Sequence, residues 1–230
     1  MALAPDLSAQ LSAIVLAGGG SSRMGRDKAL LELDGTPWLT RTCRLALSFT
    51  QSVFVVTPWP QRYAHSVPPG CRFVADPLPT EGPLICFYRV LNQVQTAWIL
   101  LLACDLPRLS VAEVQSWCSQ LAREISNQRS GSPPFLAMLP PGPKGWHPLC
   151  GFYHQSILAS LVEFSQGGGR SFQQWLRRQP VQRIVNVDPK LLFNCNTPGD
   201  VIKILVVSKP SWDLDQGRLS ATMQTKKLSK

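Results

Sequence analysis

Two separated cations close a glycine-rich turn in Ile14-Val15-Leu16-Ala17-Gly18-Gly19-Gly20-Ser21-Ser22-Arg23-Met24-Gly25-Arg26-Asp27-Lys28, directly after an apolar run that reads as a strand. With so few β-carbons in the way, main-chain N–H groups can approach an anion, and Arg23 and Lys28 can neutralise the charge that those dipoles leave over. This is phosphate-handling chemistry. Spacing excludes two commoner loops. A nucleoside-triphosphatase P-loop carries Lys and then Ser or Thr directly after the second glycine of GxxxxG, whereas Gly20 and Gly25 are followed by Arg26 and Asp27. A dinucleotide fingerprint beginning at Gly18 needs a third glycine where Arg23 stands.

Carboxylates follow two other apolar runs. Asp105, in Ala103-Cys104-Asp105-Leu106-Pro107, stands where it can ligate a hard cation such as Mg²⁺, which takes oxygen ligands and keeps waters and phosphates; it can equally just close the turn. Asp76, in Val74-Ala75-Asp76-Pro77, precedes Glu81-Gly82-Pro83-Leu84, and Asp before Pro is also an ordinary turn former. Gly167-Gly168-Gly169-Arg170 either presents Arg170 to an anion or caps a helix. In Asn194-Cys195-Asn196-Thr197-Pro198 the two asparagines share one side of an extended backbone and can offer amides to a flat, hydrogen-bond-rich ligand. His65 and His154 match no motif and are read as surface or packing residues, and the seven tryptophans as packing.

The loop resembles LAGGxSxRMGxDK, the signature of the molybdenum cofactor guanylyltransferases, through Leu16 to Gly19, Ser21, Arg23 to Gly25, and Asp27 with Lys28. Further blocks agree in order: an Asp ahead of GPL (Asp76), CDxP (Asp105), HPxxG (His147 to Gly151) and NxNTP (Asn194 to Pro198), so the resemblance spans roughly Ala13 to Asp200. It implies transfer of GMP from GTP to molybdopterin carrying molybdenum, with release of pyrophosphate. It further implies that Leu16, Ala17, Gly18, Gly19, Lys28, Thr57, Asp76 and Asp105 bind GTP. Arg23, Lys28 and Asp105 would serve catalysis, and Asp105 would hold Mg²⁺. Arg170, Asn194 and Asn196 would meet the pterin acceptor. His147 suits positioning better than acid–base work, because an acceptor phosphate is already ionised near neutral pH. Two residues depart from the family pattern: Cys86, where the family commonly has Gly, and Thr57, where it often has Asn. Rival readings are another base or acceptor (a cytidylyl cofactor or a sugar phosphate) and a non-catalytic nucleotide or cofactor carrier.

Elements must bring these residues together. Short apolar, β-branched runs predict strands at Ala13 to Leu16, Val53 to Thr57, Arg72 to Ala75, Trp98 to Ala103, Phe135 to Leu139, Leu149 to Tyr153 and Val181 to Val187. Between them, Ser110 and Glu113 make a capping box for a helix to Ile125, with Val111, Val114, Cys118, Leu121 and Ile125 as its apolar stripe. Thr36-Pro37 and Thr197-Pro198 read as further helix starts. Segments Asn127 to Pro134 and Pro140 to Gly145 read as loops. The alternation predicts an α/β fold, a three-layer αβα, Rossmann-like arrangement with a mainly parallel sheet whose strand ends carry the ligand.

One nucleotidyltransferase domain, residues 1–207, is expected, followed by a mobile tail over 208–230. A hydrophobic content of 44% is too high for disorder, and the longest apolar run, Trp98 to Cys104, is too short for a membrane span. The net charge of +9 suits polyphosphate ligands, and without an aromatic-plus-basic repeat it argues for no nucleic acid. Seven scattered cysteines without CxxC predict reduced thiols in the cytoplasm. Partner proteins would be transient ones that supply or accept the cofactor.

Overall fold

The computed structural model describes residues 5–18, 27–76, 81–127, 135–195 and 197–207. In chain order its elements are α1 (Pro5–Ala9), β1 (Leu11–Leu16), a ribbon of β2 (Glu32–Leu33) and β3 (Thr36–Pro37), α2 (Trp38–Leu47), β4 (Val53–Thr57), α3 (Pro60–Tyr63), β5 (Cys71–Ala75), α4 (Pro83–Leu91), β6 (Trp98–Ala103) and α5 (Val111–Ser126). There follow β7 (Ala137–Leu139), a second ribbon of β8 (Pro141–Gly142) and β9 (Gly145–Trp146), β10 (Cys150–His154), α6 (Ile157–Gln166), α7 (Phe172–Leu176), β11 (Val181–Arg183) and α8 (Pro198–Val207).

The central sheet has the order β11-β7-β10-β6-β1-β4-β5. Pairings β6/β1, β1/β4, β4/β5 and β11/β7 are parallel, whereas β10 runs antiparallel to both of its neighbours. The sheet is therefore mainly parallel, and the alternation of strands and helices is as the sequence predicts. What apolar runs cannot carry is direction, since a buried strand looks alike in either sense.

Both faces of the sheet are covered, because successive side chains of one strand point to opposite sides. Ala13 and Val15 of β1 join a core with Leu39 and Cys43 of α2 and Val114, Trp117 and Leu121 of α5. Ile14 between them joins a second core with Leu84 and Phe87 of α4, Leu161 of α6 and Trp175 of α7. In that second core Phe87, Tyr153 and Phe172 pack ring to ring at 5.0–6.0 Å.

Local signals held where side chains cap the backbone. Ser110 Oγ accepts from Glu113 N at 3.2 Å, and Thr197 Oγ1 accepts from Asp200 N while Asp200 Oδ2 accepts from Thr197 N at 2.9 Å. Val111, placed on the apolar stripe of α5, is instead exposed, and Trp117 fills the core in its stead. Thr36-Pro37 does not start α2 by a side-chain cap. It forms β3, and the helix begins at Trp38, whose N–H donates to Leu31 O at 2.8 Å. The run predicted to extend to Val187 ends as a strand at Arg183, which pairs with Leu139, the last residue of its partner β7. Residues 140–145, predicted as a loop, hold the β8/β9 ribbon. Positions 128–134 and 208–230 lie outside the described residues.

Candidate active site

Strand order reverses at β1: the chain first steps outward through β4 and β5, then returns to pair β6 on the other side. Such a switch opens a crevice beyond the carboxyl ends of the strands, because the connecting helices leave on opposite faces. A cleft of about 360 Å³ lies there. Its walls come from the end of β1 (Leu16, Ala17, Gly18), the turn at Asp27 to Ala29, Tyr63 of α3, Asp76 after β5, the start of α4 with Gly82 and Cys86, and the end of β6 with Cys104 and Asp105.

Gly18 is required by close approach: a β-carbon there would meet Pro58 Cδ at 2.9 Å. Gly82, which leads into α4, has φ +86°, a conformation L side chains rarely adopt. The turn carrying Lys28 is a short 3₁₀ helix, Lys28–Leu30, capped by Asp27, whose Oδ1 accepts from Ala29 N at 3.1 Å. Asp27 Oδ2 accepts from the Tyr63 hydroxyl at 2.7 Å and pairs with Arg62 at 3.2 Å.

Asp105 sits at the end of β6, its carbonyl accepting from Cys195 N at 3.2 Å. That bond ties Cys195, next to Asn194, to the same rim. Burial raises the Asp105 pKa, and the nearby Lys28 charge pulls it back only in part. Burial, and after it the Asp105 charge, also pushes the Cys104 thiol up to about 12, so it stays protonated.

At the other end of the cleft Asp76 is almost wholly buried. Its Oδ1 accepts from Arg89 Nη1 at 3.0 Å and its Oδ2 from the Cys86 thiol at 2.8 Å. Burial and then the Asp76 bond raise the Cys86 thiol to about 12, which makes it a donor rather than a thiolate at neutral pH. Arg89 also pairs with Glu81, and Glu81 faces Arg170 at 4.0 Å.

Of the residues singled out from the sequence, Leu16, Ala17, Gly18, Lys28, Asp76 and Asp105 line one cleft. Thr57 does not line it: it is fully buried, and its Oγ1 accepts from Trp59 N at 3.1 Å, closing the turn after β4. Arg170 lies off the cleft wall and donates to Ser165 O and Gly169 O, both at 2.9 Å, which is a local cap for the end of α6. Asn194 is exposed beside that rim. Gly19, Arg23 and Asn196 lie outside the described residues. His147 stands at the end of the β8/β9 ribbon, its N–H donating to Pro140 O at 3.0 Å, and burial lowers its pKa. Sequence reasoning missed Tyr63, Cys104 and Arg89. Only their places in the fold mark them.

Comparison with known proteins adds sequence and fold relatives. Residues 13–183 match the family model described as MobA-like NTP transferase domain. A protein of Nostoc sp. called "Probable molybdenum cofactor guanylyltransferase" is 50% identical over 194 residues, covering 84% of this chain and 90% of that one. A Synechococcus elongatus protein of the same name is 41% identical, covering 82% and 95%. Among solved structures, molybdopterin-guanine dinucleotide biosynthesis protein A from Archaeoglobus fulgidus superposes with a TM-score of 0.66 at 20% identity, covering 85% of this chain and 97% of that one. The 2-C-methyl-D-erythritol 4-phosphate cytidylyltransferase from Thermus thermophilus gives 0.58 at 18% identity, covering 90% and 98%. At such identities these two report the fold alone.

Proposed function

We propose, because the chain belongs to the family of MobA-like NTP transferase domains, that it transfers the GMP unit of GTP to molybdopterin carrying molybdenum, releasing pyrophosphate and forming the guanine dinucleotide cofactor. The observation that carries the chemistry is the convergence of Lys28 and Asp105 with Ala17 and Gly18, at the end of β1, in one cleft at the switch of strand order.

In this reading the turn after Leu16 accepts the nucleotide, and Arg23 and Lys28 offset the charge of the triphosphate. An oxygen of the acceptor's terminal phosphate attacks the α-phosphorus, the bond from that phosphorus to the bridging β-oxygen breaks, and pyrophosphate leaves with the electron pair. The nucleophile is already ionised, so the protein supplies position and electrostatics rather than a covalent intermediate. Asp105 fits a Mg²⁺ ion: it is a hard oxygen donor on the cleft wall whose charge burial penalises and Lys28 compensates only in part. Such an ion would offset charge on the phosphate oxygens. Asp76, held in place by its bonds from Arg89 and the Cys86 thiol on the cleft wall, suits orientation of the nucleoside end.

Residues 1–207 are assigned as one catalytic domain acting in the cytoplasm, a setting that suits seven free cysteines. No helix among the described residues is long and apolar enough to cross a membrane. The test is pyrophosphate release, measured with each of the four nucleoside triphosphates, with and without Mg²⁺ and with and without the molybdenum-loaded pterin. Release from GTP alone among the four, dependent on both additions, is expected. Release from CTP instead would replace the base, and tight GTP binding without any release would leave a carrier.

A further inference from the structure

Lys28 is held to the cleft wall by a short turn, and that turn is fastened from outside the glycine loop. Asp27 is the fastening point. One of its oxygens caps the turn through Ala29 N at 3.1 Å, while the other accepts from Tyr63 at 2.7 Å and pairs with Arg62 at 3.2 Å. Leu30 N donates to Asp27 O at 3.2 Å and Leu31 N to Lys28 O at 3.1 Å, so the carboxylate and the backbone of Lys28 move as one unit. Tyr63 is 1% exposed and held in the core with Cys43 and Val55, which makes its hydroxyl a fixed reference. Arg62, which is half exposed, lies over the Trp59 ring at 5.6 Å, so its side chain is steadied on a second side.

We propose that Tyr63, assisted by Arg62, is a positioning residue: through Asp27 it fixes the Lys28 turn against the cleft so that the Lys28 ammonium meets the departing pyrophosphate. The inference rests on the nucleotidyl-transfer reading above. It divides the two carboxylates of this wall by role. Asp27 spends its oxygens on the turn, and Asp105 is left to face the ligand. The approach to Tyr63 is set locally as well: Pro60 starts α3, and the Thr57 Oγ1 bond from Trp59 N at 3.1 Å sets the turn before it, so Tyr63 follows closely from the end of β4.

A hydrogen bond to a charged group, misplaced by its loss, is worth on the order of tenfold in rate. Because Lys28 acts where charge builds on the leaving group, the loss belongs in kcat more than in KM. The full-length chain is compared with Tyr63→Phe, Asp27→Asn and the double variant for Mg²⁺-GTP affinity by calorimetry, for kcat and KM with the loaded acceptor, and for thermal midpoint. Tyr63→Phe is expected to melt and bind GTP nearly as the parent does while kcat falls about tenfold, with the double variant no slower than Asp27→Asn alone, since both act through one link. Wild-type kcat in Tyr63→Phe, or losses that multiply in the double variant, overturns the proposal. Should Tyr63→Phe fail to fold, Arg62→Met at the half-exposed partner and Asp27→Asn decide: kcat lowered in both supports it, and parental kcat in both overturns it. A parent that binds no GTP removes the nucleotidyl-transfer reading and this inference with it, whereas a parent and a Tyr63→Phe variant of equal kcat remove this inference alone.

Discussion

Asp105 is a buried carboxylate on the cleft wall. Burial raises its pKa above the ordinary Asp value, so the folded chain binds the proton more tightly than the unfolded chain, and stability falls as pH rises from the unfolded to the folded pKa. Above that window the full cost is present. Asp105→Asn removes the charge and is therefore expected to raise the thermal midpoint at pH 7, while turnover drops by about a hundredfold or more. A calorimetric scan with a pyrophosphate assay checks both, and a lowered midpoint would contradict the burial argument. Lys28→Met is expected to lose about a hundredfold in kcat as well, with GTP still bound. Asp105 was legible in the sequence because it closely follows an apolar run, so local order alone brings it to a strand end, whereas Lys28 stands well beyond the end of β1 and was legible only through the pattern of the glycine-rich segment before it. Thr57 and Arg170 also stood out in the sequence, yet Thr57 Oγ1 and Arg170 Nη1 bond neighbouring backbone, an outcome settled by side-chain rotamers rather than spacing. Tyr63 carries no signal at all: its contact with Asp27 crosses 36 positions of chain and exists only once β4 has paired with β1.

At the scale of elements, the strands were legible as apolar runs and the antiparallel setting of β10 was not. The setting leaves a trace at Gly151, inside the HPxxG segment. A β-carbon there would lie 2.7 Å from Met138 O and 2.8 Å from Leu139 Cδ2 of β7, so the two strands can pair only if position 151 has no side chain. The glycine is thus a packing requirement of a central strand. Gly151→Ala is expected to cost about 2 kcal/mol or more, because one of the contacts is backbone and cannot rotate aside. Urea unfolding followed by circular dichroism reads it as a lower midpoint at unchanged slope. An unchanged midpoint would mean that β7 and β10 part more easily than their register indicates. Where the cap is a side chain, sequence reasoning fares better. Ser110 accepts from Glu113 N as its spacing predicts, whereas Pro37 offers no side-chain cap and α2 begins on a β-ribbon contact.

At the scale of the whole molecule, the described residues form a seven-stranded sheet with a core on each face, two short ribbons and a small third cluster around Leu33, Trp38, Cys195 and Ile204. The cleft opens beyond the carboxyl ends of the central strands. Cores on opposite faces share every central strand: Ala13, Ile14 and Val15 alternate between them. Loss of either face exposes the other, so residues 1–207 should unfold in one step. The net charge of +9 divides between this body and the final 23 residues, which hold five Lys or Arg and two Asp and so carry +3, leaving +6. A body of that sign attracts a triphosphate without help from the tail. A chain ending at Val207 is accordingly expected to melt in a single transition within about 2 °C of the full chain and to keep GTP turnover within about twofold. Saturating Mg²⁺-GTP, at about a hundred times its dissociation constant, should stabilise both chains by about 2.7 kcal/mol, or roughly 5–10 °C. Two resolved transitions in the shortened chain, or a nucleotide shift confined to the full chain, would show that residues 208–230 belong to the domain and take part in holding the triphosphate.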